Sequence, residues 1–312
     1  MTVKEVFELR KQGKIEEAYE AIRPMYAVHQ GKYTTLCMFW TASDILKKRI
    51  KEQRFDEAEK IFKALLRILP KIEDKDGKAR SSILYEAVTL DKELKDFSML
   101  DFVAQLKVDQ LSDEDWKSLT PVPSPKGEGS NYNIPSVAQQ LLTCAFHEIQ
   151  ENPTVDNALK VMPLLQEAMR RHPNDKNNQR HTAVVYRIMG EKEKAVAVYR
   201  QLLTRHRDSY LYAELAELTD DPGQKAALLC RAIQNQRQEK FCTGYRLDLA
   251  RLLLGRDNPR AAYELQKCIA ARKALGFGIT KEMQQMLQQL TGVQPVTDAQ
   301  QQEFYKKMIE KF

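Results

Sequence analysis

Gly190-Glu191-Lys192-Glu193-Lys194-Ala195-Val196-Ala197-Val198-Tyr199-Arg200-Gln201-Leu202 is the stretch that decides the fold. A glycine turn opens it, and an alanine follows with apolar residues four and seven positions later. That spacing sets a small contact beside larger ones on one helix face, so a second helix can approach closely. The spacing recurs as Gly13…Ala18, Ile22, Met25, then as Gln53…Ala58, Phe62, Leu65 with Pro70 beyond, and as Arg256…Ala261, Leu265, Cys268. Recurrence at tens of residues describes stacked helix pairs, each leaving an apolar face for its neighbour to cover.

Composition agrees with that architecture. The chain has 312 residues, 43% apolar and 29% charged, values of a folded globular protein rather than a disordered one. Most of the remainder is Ala, Leu, Glu, Lys, Arg and Gln, the strong helix formers. The first ten residues carry charges and lack the apolar core of a secretory signal. No window approaches the roughly 18–20 apolar residues that a membrane-spanning helix needs, so no membrane role is expected. Cys37, Cys144, Cys230, Cys242 and Cys268 stand apart inside apolar helical patterns. They read as reduced core thiols of a cytoplasmic protein rather than a disulfide framework or a zinc site.

Punctuation divides the chain into helices. The expected spans are 2–12, 14–29 (with Pro24 kinking or shortening it), 33–52, 55–69, 78–95 and 97–109, with a further helix start at Ser112 to Trp116. Composition then changes: residues 120–135 hold four Pro and two Gly with little to bury, which predicts a flexible linker over 119–135. Beyond it helices are expected at 136–151, 154–171, 177–189, 191–206, 208–219, 223–237, 242–255, 258–275, 280–290 and 297–312. The sequence thus predicts an N-terminal helical unit over 1–118 and a C-terminal one over 136–312. The last helix is either a terminal cap or the point where a longer protein continues.

Charge is uneven. The net +6 lies entirely after residue 135, and residues 222–275 hold 11 basic residues against 4 acidic. A local excess of this kind suits an anionic partner through steering and counterion release, and equally suits a solvated helix surface. The basic-surface candidates are Arg231, Arg237, Lys240, Arg251, Arg256 and Arg260.

Ala58, Phe62, Leu65 and Pro70, with Ala183, Tyr186, Gly190, Ala195, Tyr199 and Leu202, resemble the tetratricopeptide repeat, a helix-turn-helix of 34 residues. Residues 37–70 and 176–209 match well, Gly13–Met25 and 243–275 in part, and 71–118 poorly. The family's Trp-x-x-Leu-Gly opening is missing throughout. The resemblance implies an all-α, right-handed superhelical solenoid of αα-hairpins with irregular repeats. More specifically, 213–218, 225–233, 245–254 and 303–307 resemble the helical module of bacterial TOTE conflict systems. In those systems the module commonly precedes small β-barrels that bind nucleic acid, and this sequence contains no such barrel.

No catalytic constellation is evident. His29, His147, His172, His181 and His206 include no pair three or four apart on one helix face, and no phosphate-binding glycine loop occurs. Neither an enzyme nor a cofactor or metal is expected. Function then falls to surface. In tetratricopeptide modules the first helix of each pair lines a groove. Aligning Ala195 and Ala261 with the second-helix alanine places Asn177, Arg180, Val184 and Arg187, then Arg246, Ala250 and Leu253, on that face. Asn and Arg can grip a carboxylate or phosphate through charge-assisted, often bidentate bonds. The expected function is a scaffold holding a peptide or protein segment, acidic or C-terminal; nucleic acid on the 222–275 surface is the alternative.

Overall fold

The computed structural model describes residues 1–123 and 131–311. It is an all-α stack of helical hairpins in two compact units, Met1–Pro173 and Asn174–Phe312.

The first unit holds α1 (Val3–Lys11), α2 (Ile15–Val28), α3 (Lys32–Lys51), α4 (Phe55–Ile68), α5 (Lys78–Glu93), α6 (Met99–Gln105), α7 (Val137–Glu151) and α8 (Val155–Arg171). Thr2 starts α1 with a capping box: its hydroxyl accepts from the Glu5 N–H, and the Glu5 carboxylate accepts from the Thr2 N–H at 2.7 Å. Ala18, Ile22, Ala58, Phe62 and Leu65 are buried as their spacing predicts, and Met25 is half-buried. Fully burying a side chain such as Phe62 contributes about 1.5–3 kcal/mol. Pro24 neither ends nor shortens α2. It stands on the exposed side with Glu20, where water can serve the carbonyl that the missing N–H leaves free.

Three expectations change here. Ser112 caps only a four-residue 3-10 turn, Asp113–Trp116, whose Trp116 is buried beneath the Arg171 guanidinium. The unit boundary also lies later than the Pro-rich stretch. Helices α7 and α8 pack on α5 and α6, and Ser98 and the Leu100 N–H donate to the Glu148 carboxylate at 2.8 and 3.0 Å. Of the stretch expected to be a linker, Leu119–Pro123 (β1) and Asn131–Ile134 (β2) pair as antiparallel strands, with a register irregularity between Leu119 and Val122. Residues 124–130 lie outside the described residues.

The second unit holds α9 (Lys176–Ile188), α10 (Lys192–Leu203), α11 (Ser209–Glu217), α12 (Pro222–Asn235), α13 (Thr243–Leu253), α14 (Asn258–Ala274), α15 (Lys281–Gln289) and α16 (Asp298–Lys311). Three hairpins, α9–α10, α11–α12 and α13–α14, stack in order. Asp175, Asp221, Asp257 and Thr280 cap helix starts through side-chain bonds to backbone N–H groups. Ala195, Tyr199, Leu202, Ala261, Leu265 and Cys268 are fully buried. The turns inside the hairpins use the left-handed region at Gly13, Gly190 and Gly255, with φ of 77°, 78° and 75°. Gln53 takes the same turn at φ 58° without glycine's freedom.

All five cysteines are free thiols; four are buried and Cys144 is half-buried. Burial pushes the Cys144 thiol up to about 12 and the Cys242 thiol up to about 11. Among the described residues no helix is long and apolar enough to cross a membrane.

Candidate functional site

The first helices of the second unit, α9, α11 and α13, carry most of the residues expected to form a groove. Arg180 projects from α9 and forks onto Glu214 of α11: Nε donates at 3.0 and 3.1 Å and a terminal nitrogen at 2.5 Å. The same guanidinium lies 4.9 Å from the centroid of Tyr210. Two turns further, Arg187 pairs with Glu217 of α11. Beyond α13, Arg251 bridges to Glu282 of α15 and also pairs with Asp248. Arginine–carboxylate pairs thus join α9 to α11 and α13 to α15. Asn177 stands exposed at the start of the row.

The electrostatics of this face are mixed rather than basic. Burial raises the Glu217 carboxyl above its usual range; Arg187 opposes that, while nearby Glu214 and Asp248 reinforce it. Asp248 is raised for the same first reason, against Arg251 and Lys225. Arg187 and Glu217 are 34% and 57% exposed, so this pair can exchange with a ligand. A pair this open holds its two side chains together by about 1 kcal/mol or less.

The placement of the other groove candidates is different. Val184, Ala250 and Leu253 are buried in the hairpin interior. Arg246 points away from the first-helix face into a buried polar cluster. Its terminal nitrogen donates to Glu264 of α14 at 2.6 Å and to the Tyr305 hydroxyl at 3.0 Å, and the far edge of the guanidinium forks onto Glu239. Gln301 donates to Glu264 at 2.6 Å, and the Tyr305 hydroxyl donates to the same oxygen. Burial raises the Glu264 carboxyl, with Arg246 and these hydrogen bonds opposing it. Arg246 is therefore a tie between α13, α14 and α16, not a ligand contact. Only the combination of Glu264 on an apolar face with Gln301 and Tyr305 four apart hinted at it.

The six basic-surface candidates do not form one patch. Arg251 belongs to the first-helix row. Arg231 and Arg260 face α16: Arg231 donates to the Ile309 carbonyl at 3.5 Å, and Arg260 pairs with Asp257 at 2.5 Å while lying 4.8 Å from the Phe304 ring centroid. Arg256 is exposed beside the Gly255 turn. Arg237 and Lys240 alone share a location, the connection between α12 and α13. There Arg237 meets Arg205, His206 and Arg207 from the α10–α11 connection around an open depression of about 530 Å³. Sequence reading missed Arg205 and Arg207 because they lie outside the basic 222–275 interval. Among the described residues Arg207, Arg237 and Lys240 form no ion pair, and no group of His, Cys, Asp or Glu converges to hold a metal ion.

The helical-repeat class follows from the hairpin stack itself, and comparison with known proteins adds three findings. A family described as a domain of unknown function (DUF7017) matches residues 179–311, within the second unit. No curated protein matches the chain. A solved tetratricopeptide repeat protein from Parabacteroides merdae ATCC 43184 is similar over 93% of this chain and 97% of its own, with 13% sequence identity and a TM-score of 0.42.

Proposed function

We propose that the chain is a non-catalytic helical-repeat scaffold that holds a peptide or protein segment along the first-helix face of its second unit. The observation that carries this reading is the row of Arg180, Arg187 and Arg251 across α9 and α13, with Asn177 exposed beside it. The Arg180 and Arg251 guanidiniums, already in fork geometry on Glu214 and Glu282, and that of Arg187, held by one nitrogen on Glu217, are suited to a ligand carboxylate as well. An acidic or C-terminal segment binds by exchanging with the more exposed of these, Glu217 first. Stacked helices fix the row in advance, which lowers the entropic cost of holding an extended ligand. Buried free thiols suit a reducing, cytosolic setting. The test is titration with peptides ending in two or three acidic residues. Arg187→Ala and Arg180→Ala each weaken binding about tenfold, and Arg256→Ala leaves it unchanged. Equal affinity for all three variants would falsify the proposal.

A second reading has its own observation. The depression lined by Arg205, His206, Arg207 and Arg237, with Lys240 nearby, offers cations with few carboxylate partners to a phosphate backbone. Here a single-stranded RNA should bind with steep salt dependence, lost in Arg207→Glu and Arg237→Glu. A flat salt response would remove this reading.

A further inference from the structure

The terminal helix α16 shows how this scaffold accepts a helix on its opposite side. It lies along α12 and reaches α14 through Tyr305–Glu264, Gln301–Glu264 and Tyr263–Asp298 contacts, with the Tyr305 hydroxyl meeting Arg246 of α13. Tyr305 and Gln301 are fully buried there, and Phe304, Met308 and Ile309 pack beside them. The seat is built from α12, α13 and α14. Tyr212 and Leu215 of α11 stand where Arg246 and Leu249 stand in α13, one 34-residue period earlier. The surface made by α10, α11 and α12 therefore occupies the equivalent position one repeat upstream, with Tyr212 and Cys230 in place of Arg246 and Glu264.

That upstream seat holds a cavity of about 330 Å³, with Leu203, Tyr212 and Leu228 in its lining, Arg200 and Arg231 beside them, and Ile309 of α16 forming part of its edge. No carboxylate lines it among the described residues. Arg200 is exposed and forms no ion pair among the described residues, and Arg231, which donates weakly to the Ile309 carbonyl, lies 5.9 Å from the Tyr212 ring centroid. The groove is thus continuous with the α16 interface, apolar at its floor and positive at its edges. We propose that it docks an acidic amphipathic helix of a partner protein, with one large apolar side chain in the cavity and carboxylates one turn to either side on Arg200 and Arg231. This site is separate from the first-helix face and does not rest on it.

The probe is a synthetic peptide of residues 298–311 carrying Lys306→Glu and Lys307→Glu, which keeps the apolar stripe of α16 and supplies the acids. Its binding to the whole chain is followed by fluorescence anisotropy, with a photo-crosslinker at the Tyr305 position. The expected result is saturable one-to-one binding, cross-links to α10 and α12, and at least about a tenfold loss in Arg200→Glu. Arg200 is exposed, so that variant folds; Arg200→Lys retains binding, and Arg187→Ala leaves it unchanged. The unmodified peptide binds about tenfold more weakly. Absence of saturable binding, indifference to Arg200→Glu, loss in Arg187→Ala, or cross-links to α14 through displacement of α16 would each overturn the assignment.

Discussion

The guanidinium of Arg246 lies 2.6 Å from the carboxylate of Glu264, and the two side chains are 7% and 0% exposed. This pair joins α13 to α14 within the third hairpin of the second unit, and Tyr305 and Gln301 tie it to the last helix, α16. Taking two charges out of water is costly, and the neighbouring Gln301, Tyr305 and Glu239 groups offset that cost through hydrogen bonds. Removing one partner leaves the other buried and unpaired. Arg246→Met should destabilise the second unit by about 3–5 kcal/mol, and Arg246→Met with Glu264→Leu should recover most of that loss. Urea unfolding of the four species at neutral pH measures the cycle. A double variant as unstable as the single would show that the pair's value lies outside the two charges.

Tyr305→Phe removes only a hydroxyl from the same cluster. It should cost about 1.5–3 kcal/mol, because one of its two partners is a carboxylate. The loss should appear first as faster amide hydrogen exchange in α16, with α9 and α10 unaffected. Uniform acceleration across the unit would mean that α16 does not open on its own.

The hairpin turn at Gln53 carries backbone strain that Gly13, Gly190 and Gly255 avoid. Gln53→Gly should raise the stability of the first unit by about 0.5–1 kcal/mol, and Gly190→Ala should lower that of the second by a similar amount. Thermal melts of the two variants check both signs.

Glu167 on α8 is held at about 2 by hydrogen bonds from Arg170 and then Arg171, against the penalty of its burial. A carboxyl held below its ordinary 4.5 contributes stability that is full above that value and fades as pH falls from 4.5 toward 2. Arg170 is 66% exposed, so screening leaves about 1 kcal/mol. Glu167→Gln should be less stable than the parent by that amount at neutral pH and equal to it near pH 2. Denaturant curves at the two pH values give the comparison.

Helix positions were legible because capping residues and glycine turns are local signals. Ala195, Tyr199 and Leu202 entered the interior for the reason their spacing suggests. The candidate first-helix face was only partly legible. On α13 the residues Arg246, Leu249, Ala250 and Leu253 share one face, and periodicity cannot say whether that face meets a ligand or another helix. The answer lay in Tyr305, 59 residues from Arg246, a separation that no local pattern spans. Arg180 and Arg187 both lie on α9, and their partners Glu214 and Glu217 lie one repeat away and could not be paired in advance. The Pro-rich composition of 120–135 signalled a break, while the packing of α7 on α5 and α6 carries the unit on to Pro173.

Hydrogen exchange of the whole chain, with and without a saturating peptide that ends in acidic residues, tests the scaffold reading most directly. Protection confined to α9, α11 and α13, strongest around Arg180, Arg187 and Glu217, is the result predicted. Protection at 205–208 and 236–240 instead, or none anywhere at saturation, would contradict it.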